Sequence, residues 1–315
     1  MQRLIIRRLI AYAPTIILVS MLIYSLLLLI PGQDPVNIML GDSGDPELIE
    51  LFRKELGLDR PIHVQYADWV WGVAHGDWGR SIRTRELVSV ELKRRFAITL
   101  ELAIGSLVVA AIIAIPIGVY SAARPHTIGD NAGTIFAIAG VALPNFWFAI
   151  LMIYLFAVIL GWLPSQGYVA LFESPVENFQ RMLMPVIVNA FSASASTMRQ
   201  TRSSMLEVLQ QDYIRTAHAK GLKEREVLTR HALKNGLIPV ITVFGLTTAQ
   251  ALGGSAIIET IFRLPGLGQL AVSSATNFDI PAVQGVLLLF GSFVIAANFM
   301  VDIAYGFLDP RIRYS

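Results

Sequence analysis

The chain alternates long uncharged stretches with short charged ones. Residues 9–30 carry no charge over 22 positions, and 96–120 carry only Glu101, near the start. Residues 132–160 carry none, and 182–197 form a shorter, weaker apolar run. The runs 237–258 and 280–307 complete the set, the last with Asp302 near its end. A helix crosses a bilayer with about 20 apolar residues. The pattern therefore predicts an all-α polytopic membrane protein with six transmembrane helices. Residues 1–30 would be the N-terminus and first helix, and 31–95 an extracytoplasmic loop domain. Residues 96–315 would be a five-helix core with a cytoplasmic loop at 199–236.

Composition agrees. The chain is 54% hydrophobic and 15% charged, with mean hydropathy +0.58, outside the range of soluble domains. Arg3, Arg7 and Arg8 precede the first apolar run as in a signal peptide. The run is too long for the apolar part of a cleaved signal, and no small-x-small site follows it, so it reads as an uncleaved anchor. With both ends cytoplasmic, the inside segments hold three, one, eight and two Lys/Arg, and the two short outside loops one each. That is the positive-inside bias of an inner-membrane protein. The long segment 31–95 holds nine basic and eleven acidic residues and is exempt from the rule by its length. Lys93-Arg94-Arg95, beside the second span, runs against this orientation. Flipping the chain would put the eight-charge loop outside.

Within 31–95, charge spacing predicts a short surface helix over 45–56, closed by Gly57. Trp69, Trp71 and Tyr66 follow, then the turn-rich stretch Gly76–Ser81. Aromatic residues beside a bilayer usually mark its interface; the alternative is a platform for a soluble protein. Pro116, Pro144, Pro185 and Pro239 fall in or beside spans as kinks or helix starts. Gly133, Gly140 and Gly253-Gly254-Ser255 allow close helix packing. Glu101 and Asp302, both near span ends, are expected to snorkel or pair locally.

The strongest charge anomaly is 199–236. From Arg199 to Lys234 there are eight basic and four acidic residues. A helix is expected over 210–220, closed by Gly221 at the position after the cap, and a second over 223–234. The plain reading is a solvated connector. The compact helix–Gly–helix form also suits docking on another protein.

The residues of this loop, Ala217, Ala219, Gly221 and Leu222, with His231, Ala232, Leu233, Asn235 and Pro239 after them, resemble the coupling loop of permease subunits in binding-protein-dependent ABC importers. The variant is that of the dipeptide, oligopeptide and nickel branch. Arg215, Thr216 and Ala217 stand where the general motif has E-A-A, His231 replaces its Ile, and its Pro falls five positions late, at Pro239. L-G-L-D-R-P from Leu56, G-D-W-G-R-S from Gly76, L-P-N-F-W from Leu143, G-W-L-P from Gly161, E-T-I-F-x-x-P-G-L-G from Glu259 and L-D-P-R-I-R from Leu308 extend the likeness along the whole chain.

The resemblance implies the fold of a type I ABC importer permease, with the first helix wrapping a partner permease. The partners would be a homologous second permease in a heterodimer, two cytoplasmic ATPases and a soluble extracytoplasmic binding protein. The coupling residues would be Asp212, Tyr213, Arg215, Thr216, Ala217, Ala219, Lys220, Gly221, Leu222 and Lys223. Ala217, Ala219 and Leu222 would approach the ATPase cleft closely, with Lys220 and Lys223 at its wetter rim. Peptides are the expected cargo, with nickel chelates, glutathione or opines as alternatives.

The chain has no G-x-x-x-x-G-K-[ST], H-E-x-x-H or G-x-S-x-G, and its five histidines lack ligand spacing. No cofactor, metal site or enzyme activity is expected of it; ATP and Mg would belong to the partner subunits. Without cysteine, disulfides and thiolate chemistry are excluded. A net charge of +2 gives no reason to invoke nucleic acid. A secondary transporter or channel is the alternative class, expected to show inverted repeats or midplane charges; neither is visible. An intramembrane hydrolase lacks a nucleophile–base pair.

Overall fold

A computed structural model describes residues 2–28, 36, 46–55, 58–253 and 255–308. Gly57, Gly254 and the tail from 309 onward lie outside these. Among the described residues the chain is helical, with one isolated antiparallel bridge between Arg80 and Leu87. The helices are α1 (Gln2–Leu28), α2 (Pro46–Glu55), α3 (Ile62–Ala74), α4 (Val88–Ala123), α5 (Ile128–Ala142), α6 (Asn145–Ile153), α7 (Pro175–Leu209), α8 (Asp212–Ala219), α9 (Glu224–Glu226), α10 (Leu233–Gly253), α11 (Ala256–Ile261), α12 (Leu267–Thr276) and α13 (Ile280–Leu308). Wider π-turns follow α6 (Tyr154–Ile159) and join α9 to α10 (Val227–Ala232).

Three of these segments are long and apolar enough to cross a membrane: Val88–Ala123, Glu224–Ile261 and Ile280–Ile303. A fourth exists if a bent pair is counted as one. That pair corrects the expected single span 132–160: Ile128–Ala142 and Asn145–Ile159 meet at 103°. The cause is Pro144, which lacks a donor and pushes Leu143 into extended backbone (φ −82°, ψ 124°). The helix stops there and restarts in a new direction. The expected first and fourth spans lie on α1 and α7.

α7 is the centre of the bundle, packed along α4, α5, α6 and α10. It has 35 residues, about 53 Å at 1.5 Å per residue. The charged stretch from Arg199 is its last three turns, so the expected loop 199–236 shrinks to a short connection around α8. Arg202 there grips Asp130 at the start of α5 through two hydrogen bonds, 2.6 and 2.9 Å. Asp130 also accepts from the His126 backbone, while Thr127 caps α5 by accepting from the Asp130 backbone. Each side chain satisfies a backbone donor the helix start would leave open.

α4 begins at Val88, eight residues before the apolar run. Lys93-Arg94-Arg95 therefore occupies its first turns, where Arg95 pairs with Glu91 at 3.0 Å and Arg94 with Glu86 at 3.3 Å. The described residues of 31–95 form no buried cluster of their own. α3 buries none of its residues and lies against α1 through Tyr24, Tyr66 and Trp69, with ring centroids 5.5–6.3 Å apart. Trp78 packs beside Val88, Leu92 and Val286. Asp279 accepts from the Ser81 hydroxyl and, at 3.1 Å, from the Ile82 backbone, tying this loop to the start of α13. α1 packs along α13 of the same chain, where Tyr12 donates to Asp302 at 2.9 Å. Glu101 also pairs locally, accepting from Tyr168 at 2.8 Å and Asn178 at 2.7 Å. Burial and this carboxyl push the Tyr168 phenol above its ordinary pKa.

Several close helix contacts rest on glycine. A Cβ on Gly140 would lie 2.5 Å from the Ala195 Cβ and 3.1 Å from the Phe191 carbonyl, whereas one on Gly253 meets nothing nearer than 4.0 Å. Gly140→Ala should therefore cost about 1–3 kcal/mol through forced separation of α5 and α7. Gly253→Ala should be neutral or slightly stabilising. Thermal unfolding of the two variants in detergent measures the difference.

Candidate functional site

α8 is an eight-residue helix standing off the end of the bundle. Its base is apolar. Ile214 and Ala217, three positions apart and so on one face, are 1% and 5% exposed. They pack into a cluster with Ala122 of α4, Met205 of α7, and Val227 and Ala232 of the π-turn. Leu206, Val208 and Leu209 at the end of α7, with Leu222 and Leu228, pack against the cluster. Asp212 in the first turn and His218 in the last sit where the helix dipole favours an acid and a base.

Gly221 stops the helix as its position predicted. Its φ is +78°, a region open to glycine at little cost. The Leu222 backbone donates to the Ala217 carbonyl at 3.4 Å and the Gly221 backbone to the His218 carbonyl at 2.9 Å. With Leu222 and Ala217 in one apolar cluster, this is the Schellman arrangement. The cap thus folds Leu222 back under the helix.

The other expected loop residues separate into two faces. Asp212, Arg215, Thr216, Ala219, Lys220, Gly221 and Lys223 are exposed. Asp212 and Arg215 form a 3.6 Å surface pair, and Thr216 donates to the Asp212 carbonyl at 3.0 Å. Tyr213 is also exposed; its hydroxyl accepts from Asn235 at 2.9 Å. Ala217 is instead buried within the chain and Leu222 half-buried, so neither presents its side chain outward. Only Ala219 of the three small or apolar residues faces out. The second expected helix, over 223–234, is not separate either. From Glu224 it runs through the π-turn directly into α10.

Sequence reasoning missed Ile214, the anchor of the seat, although its spacing to Ala217 signals a shared face. It also missed a hollow of about 380 Å³ beside α8, lined by His218, Leu209, Glu224 and Leu228 among others. At the far end of the bundle, Ser81, Arg83, Thr84, Glu91, Arg95 and Asn277 help to line another, of about 280 Å³.

A bundle of long apolar helices with a capped amphipathic helix fixed to one end defines a helical membrane protein with an outboard surface tied to its spans. More narrowly, the chain belongs to the family of binding-protein-dependent transport system inner membrane components, whose pattern matches residues 114–314. The N-terminal family of the same transport membrane components matches residues 1–103. A protein of Brucella abortus named for a peptide transport system permease is 41% identical over 314 residues, covering all of both chains. The glutathione transport system permease GsiC of Salmonella choleraesuis is 37% identical, again over both full lengths. Among solved structures, an inward-facing MetNI methionine ABC transporter shares the fold: TM-score 0.55, 20% identity, 69% of this chain and 96% of that one.

Proposed function

We propose that the chain is one permease subunit of an ATP-driven importer of peptides, forming half of a passage with a second, homologous permease. The observation that carries the coupling role is the seat of α8. Its buried face is joined to the ends of α4 and α7 and to the π-turn leading into α10, while its polar face is free. A push on the free face is passed to three long helices together, because a packed core moves as a unit rather than yielding locally. Two cytoplasmic ATPases closing on ATP would supply the push and favour one permease state over the other by several kcal/mol. The peptide cargo rests on the names of the full-length relatives; glutathione, itself a tripeptide, belongs to the same chemistry. A soluble binding protein would deliver the cargo at the opposite end. The test is reconstitution with both ATPases, the second permease and the binding protein in proteoliposomes, expecting ATP-dependent uptake of trialanine. ATP hydrolysis without uptake of any peptide would remove the cargo assignment.

This reading places α8 in the cytoplasm, with six spans and both termini inside. A chain without native cysteine allows a direct measurement. His218→Cys should be labelled by an impermeant maleimide only after cells are opened, and Arg83→Cys in intact spheroplasts. Labelling of position 218 from outside would reverse the orientation.

A further inference from the structure

Midway along the bundle, between α4, α6, α7 and α10, lies a cavity of about 280 Å³. Ser106, near the middle of α4, and Asn189, near the middle of α7, both line it. Seven of its ten lining residues are polar and none is ionisable. Polar side chains at this depth are costly in a membrane protein and mark a pathway or a partner. The Asn189 Nδ2 is buried with no hydrogen-bond partner, one of three such side-chain atoms among the described residues and the one that lines the cavity. A buried amide donor left open costs about 1–3 kcal/mol, so a ligand that accepts from it is favoured.

We infer that this cavity is a cargo subsite that reads the peptide main chain. This deepens the peptide-permease reading and rests on it. Asn145, Asn189 and Gln250 each carry one carbonyl acceptor and an amide donor pair, the complement of a peptide unit's N–H and C=O. The break at Pro144 is what brings Asn145, first residue of α6, to the cavity wall. Ser106 and Thr247, both in the cavity wall, donate to the Leu102 and Phe244 carbonyls of their own helices, which leaves their hydroxyl lone pairs as the acceptors they can offer a cargo N–H. No lining charge selects for or against a cargo side chain. The absence of an ion pair also keeps the contact weak enough to be left again, as passage requires. The volume lies at the lower edge of small-molecule sites, in keeping with a half-chamber completed by the second permease.

The experiment compares uptake of trialanine with that of its depsipeptide, in which the central N–H is replaced by an ester oxygen. The complete complex with its binding protein is used, carrying either wild-type chain or Asn189→Leu. The binding protein is common to both, so a change in the amide-to-ester ratio reports the cavity, and a ratio is insensitive to how much complex assembles. The wild type should prefer the amide. Asn189→Leu removes the Oδ1 that would accept from the cargo N–H, together with the Nδ2 that would donate to its C=O, which the ester keeps as a weaker acceptor. It should reduce that preference on the order of tenfold. If Asn189→Leu does not assemble, Gln250→Leu gives the same readout from the α10 wall. Uptake with the wild-type ratio in the assembled variants overturns the subsite alone. A wild-type complex that hydrolyses ATP but imports neither compound overturns the peptide reading, and the subsite with it.

Discussion

Glu259→Ala should unfold the end of the permease that lies away from α8. Glu259 is fully buried and its carboxyl group accepts three hydrogen bonds. Ser255 donates at 2.7 Å and Thr99 at 2.9 Å to Oε1, and the Gln269 backbone at 2.9 Å to Oε2. Gln269 lies in the first turn of α12, so Glu259 caps that helix from α11, while Thr99 reaches across from α4 and accepts from the Leu267 backbone at 2.8 Å. Gly266 leaves the space: a Cβ there would stand 2.5 Å from Oε2. One side chain thus pins α11 and α12 to the long helix α4. Alanine strands three donors, two of them buried, at about 1–3 kcal/mol for each buried one, and adds a cavity. That approaches the 5–15 kcal/mol margin of a typical fold. Glu259→Gln keeps the shape and an acceptor for the Gln269 backbone, so it should lose only part of this. Thermal unfolding in detergent should rank wild type, Glu259→Gln and Glu259→Ala in falling order, with the alanine variant poorly recovered from membranes. Equal midpoints for all three would show that the network is dispensable.

The apolar runs were legible because they depend on composition over about 20 residues, which neighbours cannot undo. The breaks and fusions were not. The run 132–160 is uniformly apolar, and a hydropathy window averages over Pro144 where the backbone turns through 103°. Charge misled in the other direction. Arg199 to Leu209 reads as loop, yet it is helix, with Thr201, Ser204 and Met205 buried and Arg202 meeting Asp130, 72 positions away. Gly221 announced its helix stop. The equivalent stop after α11 has Arg263 at φ +50°, with the Leu264 backbone donating to the Glu259 carbonyl at 2.8 Å; no glycine advertises it. The weakness of the fourth apolar run was itself a signal. The polar residues that dilute it, Asn189, Ser192 and Ser196, line the central cavity. The loop motif marked a segment that carries a capped helix, but the motif alone did not say which face of that helix pointed inward.

That face decides the outcome of two nearly identical substitutions, Ala217→Glu and Ala219→Glu. Ala217 sits in the apolar seat with Ile214, Met205 and Val227, so a glutamate there must bury an unpaired charge or detach α8. Either costs several kcal/mol within the chain itself. The Ala217→Glu permease should melt earlier, show α8 newly open to protease, and fail to retain its ATPases. Ala219 is exposed, so a glutamate costs the isolated permease almost nothing and its melting should be unchanged. If α8 enters a cleft of the ATPase, however, the same charge is buried against the partner, and retention should fall by at least tenfold. Lys220→Ala and Lys223→Ala remove exposed charges whose ion pairs are worth roughly 0–1 kcal/mol, and should retain the ATPases nearly as well as wild type. Paired melting and pull-down measurements on the four variants read both effects. Should Ala219→Glu keep full retention and transport while Lys223→Ala loses them, the ATPase contacts the chain through the α8–α9 turn rather than the exposed face of α8.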